Sequence, residues 1–212
     1  QRVRPYSQYL LVKEGKPYWR LAVLTEEAFE HILRPIMRKD SLCLEQKGYE
    51  VGLDDFHMVK QDSFQGLEER FWTGTDKVHH IDLEFLTSAS FKKNGEYMIF
   101  PELPLVFNNL IRKWNVYSDS MVLGEERLGD KLAEFMCITD YRLHTHPFSV
   151  EGRRIRAFRG NIRLGLFKDD ITRRMASMLA AFADYAGIGI KTAMGMGAVH
   201  SDIAYYQKKE RL

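Results

Sequence analysis

Residues 186–199 read AGIGIKTAMGMGAV, and this stretch determines how the rest of the chain is interpreted. It contains two G-x-G pairs, formed by Gly187, Gly189, Gly195 and Gly197. Lys191 and Thr192 lie between the pairs. Because glycine tolerates positive φ and lets another backbone come close, the pattern predicts a loop of bare amides that can approach a phosphate chain. A tightly packed connector between a helix and a strand is the alternative, and the paired glycines favour nucleic-acid contact over it.

The elements that flank this glycine-rich loop (residues 187–197) distinguish it from nucleotide-binding loops. Residues 170–186 place apolar side chains at helical spacing, and Gly187 follows where a helix C-cap glycine belongs. Residues 198–206 then predict a strand. A P-loop or a Rossmann loop runs from a strand into a helix, so the reversed order here argues against both.

A second stretch, LEFLTSASFKKNGEYMIFPELPLVFNNLIRKWNVYS at residues 83–118, supports the same interpretation. With the glycine-rich loop it resembles the CRISPR repeat-RNA processing endoribonucleases, the Cas6 type of the RAMP superfamily. In that family a strand with an FLTPT-F type motif leads through a short hairpin into a Pro-x-Pro helix that ends in a Trp-Asn pair. The motif here has Ser88 where the family often has proline, and the helix carries Pro101, Pro104, Trp114 and Asn115. The resemblance extends more weakly over residues 4–201.

The fold class that follows is α+β, with tandem ferredoxin-like (RRM-like) domains over residues 1–78 and 79–212. The second domain predicts the complete ferredoxin-like order. Its expected elements are strand 79–91, helix 102–115, a short extra helix at 125–135, a hairpin of 136–150 and 155–167, helix 170–186 and strand 198–206. The glycine-rich loop thus connects the last helix to the last strand.

The N-terminal domain is expected to be incomplete. It predicts strands at 6–12, 17–24, 41–45 and 49–60, and a helix that Thr25 caps and Pro35 kinks or shortens. This order lacks the first strand and first helix of a ferredoxin-like domain, and in the family that helix region usually supplies a catalytic histidine. We therefore expect upstream sequence that carries part of the active site. Gln61–Val78 is polar and predicts an irregular boundary.

Composition limits the cell compartment and the partners. The 31 basic and 29 acidic residues nearly cancel, so a basic surface must come from local clustering. Cys43 and Cys137 stand alone, which fits a reducing, cytoplasmic compartment rather than a disulfide framework. The sequence shows no signal peptide and no apolar run long enough for a membrane span.

Basic residues cluster at the tip of the predicted hairpin. They are Arg153, Arg154, Arg156, Arg159 and Arg163. Alternation places Arg159 and Arg163 on one strand face. Arginine forks match phosphate oxygens, and the resemblance implies that this hairpin grips the repeat stem. A solvated basic edge that protects an exposed strand is the alternative.

The resemblance also implies cleavage of repeat RNA without a metal or another cofactor. The 2′-hydroxyl attacks the adjacent phosphate and leaves a 2′,3′-cyclic phosphate and a 5′-hydroxyl. Histidine suits the base and the acid because it titrates near neutrality. The candidate catalytic residues are His31 and His146, with a further base expected upstream. His144 shares a strand face with His146, whereas His79, His80 and Asp82 lack the further ligands of a metal site.

Two other functions stay open at this point. The chain is alternatively a non-catalytic RNA-binding domain or subunit of a CRISPR complex or a larger fusion. Its partners would then be CRISPR repeat RNA and other CRISPR effector or adaptation proteins. A ferredoxin-like domain that assembles with protein and binds no RNA is the more remote alternative.

Overall fold

The structure is a computed structural model that describes residues 3–45, 47–124, 127–150, 152–167 and 170–206. The first elements are β1 (Tyr6–Lys13), β2 (Lys16–Val23), α1 (Glu26–Ala28), a π-helical turn (Phe29–Leu33), α2 (Arg34–Ile36), β3 (Ser41–Leu44), β4 (Tyr49–Gly52) and α3 (Phe64–Thr73). Next come β5 (Val78–Ala89), β6 (Phe91–Lys93), β7 (Glu96–Met98), α4 (Leu103–Tyr117), α5 (Leu128–Ala133), β8 (Met136–Thr145), β9 (Phe148–Val150) and β10 (Arg153–Ile155). The last are β11 (Phe158–Leu166), α6 (Asp170–Ala186), a 3₁₀ turn (Thr192–Met194) and β12 (Val199–Tyr205).

The second half forms one four-stranded antiparallel sheet in the order β12-β5-β11-β8. Helix α4 follows β5 in the chain and α6 follows β11, which gives the ferredoxin-like order strand, helix, strand, strand, helix, strand. The α+β class and the ferredoxin-like second half are thereby confirmed. Glu125 and Glu126, at the start of the predicted extra helix, and Glu151, in the predicted hairpin turn, lie outside the described residues.

The main core lies between this sheet and the helices. Alternate residues of β5 and β11, such as Leu83 and Ile162, are fully buried on the helix side. Trp114 of α4 meets Phe182 of α6 edge-to-face, with ring centroids 5.2 Å apart, and Phe64 packs against both rings. The other face of the sheet is left to charged and polar side chains.

The N-terminal half consists of two hairpins and a broken helix. β1 pairs with β2, β3 pairs with β4, and Thr25 caps α1 by accepting from the Ala28 amide at 3.1 Å. Pro35 cannot donate a helical hydrogen bond, and the helix widens into the π turn just before it and ends at Ile36. The predicted strand at 49–60 is wrong beyond Gly52, because residues 53–60 form no ladder and are almost all exposed.

Helix α3 corrects the expected irregular segment between residues 61 and 78. Ser63 caps it by accepting from the Gly66 amide at 2.9 Å. Leu67 and Phe71, on its inner face, are 3% and 6% exposed and belong to the main core. This segment therefore packs with the second half, and the division of the chain at residue 78 stays a prediction.

No helix among the described residues is long and apolar enough to cross a membrane.

Candidate functional site

The glycine-rich loop begins where α6 ends and is folded tightly onto the chain. Gly187 has a φ of +64° and donates to Ala183 O at 2.8 Å, which closes the helix as the sequence predicts. The Ile188 amide donates to Gly197 O at 2.8 Å, so the two glycine pairs lie against each other. The loop is a closed turn rather than an open arch.

The end of β5 provides the surface on which this loop rests. The Gly197 amide donates to Ser88 O at 2.9 Å, and the Ile190 amide donates to Ser90 O at 3.0 Å. The Gly189 amide donates to Asn109 Oδ1 of α4 at 2.9 Å. A Cβ on Gly189 would lie 2.5 Å from Ser90 O, so the backbone approach itself requires glycine.

The expectation of bare amides is therefore wrong at Gly187, Gly189 and Gly197, which donate inside the protein and are buried. Lys191 differs from them because its side chain is partly exposed at the outer end of the loop. Gly195 is also partly exposed, with a φ of +96°. Contact between this loop and RNA stays a prediction. Such contact would be made by side chains such as Lys191 rather than by free backbone amides.

The first strand of the chain also contacts the loop. Gln8 of β1 donates through Nε2 to Ala193 O at 2.8 Å, and Trp19 Nε1 holds the Gln8 amide oxygen at 2.8 Å. Ser7 Oγ donates to Tyr185 O at 2.5 Å. The N-terminal hairpin is thus attached to the end of α6 and to the 3₁₀ turn within the loop.

The predicted basic hairpin is present, and its tip lies against the glycine-rich loop. β8 pairs with β11, and β9 pairs with β10 at the tip. A small apolar cluster, formed by Ile155, Ala157 and Met196, joins the tip to the loop. Phe148 of the hairpin tip and Ile190 of the loop also pack against this cluster. Sequence elements about forty residues apart therefore form one surface.

The five arginines are exposed, but their charges are not equally available. Arg163 makes a two-pronged ion pair with Asp82 of β5, with both N–O distances at 2.8 Å. This guanidinium holds the pKa of Asp82 below its usual range. Arg156 contacts Glu96 of β7 at 3.2 Å, whereas Arg159 lies directly across from His144 on β8.

His146 is held in one orientation at the edge of this surface. Its Nδ1 lies 2.7 Å from Ser88 Oγ, the side chain at the position where the resemblance expects proline. Ser88 is 3% exposed, whereas the imidazole of His146 is open to solvent. His144 stands beside it, with ring centroids 6.1 Å apart. Because the hydroxyl occupies Nδ1, Nε2 is the ring nitrogen that makes no hydrogen bond among the described residues.

His31 is not brought to this place. It is exposed on the π-helical turn, and among the described residues no hydrogen bond or ion pair joins it to His146 or to the glycine-rich loop. His79 and His80 contact each other through Nδ1 at 2.6 Å, and His80 lies 3.5 Å from Asp82. The described residues contain no group of three or more side chains arranged to hold a metal ion.

The sequence interpretation missed three residues that build the site: Ser88, Asn109 and Lys113. Asn109 and Lys113 face the loop from α4, and their spacing of four residues places them on one side of that helix. Lys113 falls within the buried stripe of α4, which was a signal that could have been used. Its burial, assisted by repulsion from Arg112, lowers the pKa of the Lys113 ammonium to about 7.

Comparison with known proteins gives matches over most of the chain. A family model described as CRISPR-associated endoribonuclease Cas6 matches residues 83–199, more than half of the 212 residues. The chain is 28% identical over 209 residues to a CRISPR-associated endoribonuclease Cas6 of Streptococcus thermophilus, covering 94% of this chain and 81% of that protein. A Cas6 of Mycobacterium tuberculosis is 30% identical over 208 residues, covering 93% of this chain and 63% of that protein.

A solved structure described as a Cas6 product complex superposes with a TM-score of 0.78 at 20% identity. The match covers 95% of this chain and 84% of that one. At this level of identity the likeness concerns the fold.

Proposed function

The chain belongs to the CRISPR-associated endoribonuclease Cas6 family, and we propose that it binds CRISPR repeat RNA and cuts it without a metal ion. The relatives named above are endoribonucleases, which supports RNA cleavage. The binding surface that we propose combines Lys191 and Thr192 of the glycine-rich loop with the hairpin arginines. Gly187, Gly189, Gly195 and Gly197 shape that surface rather than contact phosphate through free amides.

The proposed reaction uses the RNA's own 2′-hydroxyl as the nucleophile. A base removes its proton, the oxygen attacks the adjacent phosphorus, and the bond from phosphorus to the 5′-oxygen breaks. An acid protonates that leaving oxygen, which gives a 2′,3′-cyclic phosphate and a 5′-hydroxyl. A cation stabilises the charge that develops on the phosphate.

The hydrogen bond between Ser88 and His146 is the observation that carries this proposal. It fixes Nδ1 on Ser88, and because His146 is exposed, we expect Nε2 to be the nitrogen that acts on a substrate as general base or acid. His144 is close enough to act as the second proton-transfer group, and Arg159, opposite His144, supplies the cation. His31 remains the alternative base.

A cleavage assay tests the proposal. The chain is incubated in EDTA with 5′-labelled repeat RNA and with the same RNA carrying one 2′-deoxy sugar at the cut site. We expect a single cut that the 2′-deoxy sugar abolishes and that His146→Ala reduces by about 10²-fold or more. His57→Ala is the matched control, because the His57 side chain is 74% exposed and its ion pair is with Asp55, which is also exposed. Full activity of His146→Ala together with loss in His31→Ala would reassign the base.

A second candidate function is RNA binding without cleavage, as a domain or subunit of a CRISPR complex. This function is favoured because, among the described residues, no hydrogen bond or ion pair joins His31 to His146, the other predicted catalytic histidine. Tight binding of repeat RNA with no cut by the wild-type chain would support this function over the first. Neither binding nor cleavage would contradict both.

A further inference from the structure

Lys113 is a buried lysine that the proposed cleavage chemistry does not use. Only 4% of its surface is exposed. Its Nζ donates to Ala186 O at 3.0 Å and to Gly187 O at 2.8 Å, and lies 3.5 Å from Thr192 Oγ1. The two carbonyls lie where α6 passes into the glycine-rich loop, and the hydroxyl lies at the centre of the loop. One ammonium group therefore links the start of the loop to its centre.

The acceptors explain why a cation is placed here. Ala186 and Gly187 lie at the C-terminal end of α6, where carbonyl groups lack helical partners and carry the negative end of the helix dipole. A lysine at this end satisfies those carbonyls and has a favourable interaction with the dipole. The ammonium is thus bound by backbone carbonyls at the point where α6 ends and the loop begins.

No carboxylate among the described residues forms an ion pair with Lys113. Asp184, the nearest acid on α6, instead contacts Lys60 at 2.7 Å and accepts from the Ser201 amide. Lys191, the nearest cation on the loop, lies 3.5 Å from Met194 Sδ. Arg112, which precedes Lys113 on α4, repels the Lys113 ammonium and so helps to lower its pKa. Burying a charge without an ion-pair partner costs folding free energy. This cost indicates that the Lys113 ammonium has a specific structural role.

We propose that Lys113 is a positioning residue for the RNA site: its buried ammonium ties the start of the glycine-rich loop to its centre and sets the shape that the loop presents to RNA. The inference rests on the proposed function for its RNA readout. Lys113 itself lies beneath the loop and touches no substrate.

The proton on Lys113 gives this role a measurable signature. The ammonium has three donors, whereas the neutral amine has two, which the two carbonyls can occupy. Loss of the proton therefore changes the contact with Thr192 first, because the hydroxyl must then donate to the lone pair of the neutral amine instead of accepting a charge-assisted hydrogen bond. Because burial lowers the pKa of Lys113 to about 7, this change falls between pH 6 and pH 8.5. RNA affinity should fall with rising pH by an amount that depends on Lys113.

The test compares Lys113→Met with Arg112→Met, which removes one cation from the exposed neighbouring position of the same helix. Affinity for labelled repeat RNA is measured by fluorescence anisotropy from pH 6 to pH 8.5. Hydrogen exchange at the Ile188 and Gly197 amides reports the loop directly. We expect Lys113→Met to bind about tenfold more weakly at pH 6, with a flattened pH profile and faster exchange at both amides. Arg112→Met should stay within about threefold of wild type.

Wild-type affinity, pH profile and amide protection in Lys113→Met would overturn the proposal. If that variant does not fold, the pH profile of Thr192→Val decides, rather than its affinity, because this change keeps the side-chain shape but removes a hydroxyl that contacts Lys113 and also belongs to the proposed RNA surface. Thr192→Val should then lose the pH dependence, and a wild-type pH profile in it would contradict the role. If the wild-type chain binds no RNA, the proposed function fails, while the exchange measurement still tests whether Lys113 holds the loop.

Discussion

Ile188 and Gly197 close the glycine-rich loop by direct backbone contact. The Ile188 amide donates to Gly197 O at 2.8 Å, and a Cβ on Gly197 would lie 2.0 Å from Ile188 O. The hydrogen bond holds the two backbones so close that residue 197 has no room for a side chain. Position 197 therefore requires glycine.

Gly197→Ala should destabilise the protein by roughly 3 kcal/mol, the sum of a strained positive φ and a backbone clash. Gly48→Ala is the matched control, because Gly48 has a φ of +67° against +65° at Gly197 but no atom within 4 Å of its added Cβ. That control should lose only about 1 kcal/mol. Urea unfolding measures both variants, and equal losses would contradict the clash.

Arg159→Ala should weaken repeat-RNA binding more than Arg163→Ala. The Arg163 guanidinium is already paired with Asp82. Arg159 lies opposite His144 and forms no ion pair with an acid among the described residues. We expect the slope of log affinity against log salt to fall by about one for Arg159→Ala and by much less for Arg163→Ala. Asp82→Asn should release Arg163 and raise affinity. Equal slopes for the two arginine variants would contradict this difference.

Lys113→Met should change how stability depends on pH. The folded protein holds a Lys113 pKa of about 7 against the ordinary 10.5, so between these values the unfolded chain binds the proton that the folded chain releases. As pH increases from about 7 to 10.5, the free energy of unfolding of wild type therefore rises relative to that of the variant, by about 1.4 kcal/mol per pH unit. Urea unfolding at pH 7 to 10 measures the difference. Parallel pH curves for the two proteins would show that Lys113 is not buried as described.

Arg174→Met should destabilise the packing of α3. Arg174 Nη1 donates to the carbonyls of Phe71, Trp72 and Gly74 at 2.7 to 2.9 Å. Loss of this donor should cost about 2 kcal/mol, whereas Arg173→Met, which loses one bond to Val78 O, should cost about 1 kcal/mol. Urea unfolding measures both variants, and hydrogen exchange at the α3 amides follows that helix directly. Equal costs would mean that α3 does not depend on this contact.

The ferredoxin-like half could be predicted because each of its elements has a clear hydrophobic periodicity in its own sequence. α6 has an uninterrupted apolar stripe, and β11 alternates buried and exposed residues along its length. α3 could not be predicted in the same way. Half of its ten residues, FQGLEERFWT, are polar and one is glycine. Its helical state depends on burial of Leu67 and Phe71 against elements distant in the chain.

The candidate site was predictable in composition but not in arrangement. The glycine pairs and His146 stand out in the sequence, yet the partners that define their roles lie elsewhere. Ser88 is 58 residues from His146, and the carbonyls that receive the loop amides carry no sequence signal at all. Alternation places residues on faces, but it does not say which distant backbone will satisfy a loop amide.

The small cluster of Ile155, Ala157 and Met196 has a consequence for protein engineering. The arginine hairpin cannot be transplanted to another scaffold as a contiguous peptide, since the base of its tip is completed by a methionine that comes about forty residues later in the chain. A graft that carried residues 148–155 alone would leave their inner apolar faces in water. The minimal transferable unit is therefore discontinuous and includes the glycine-rich loop.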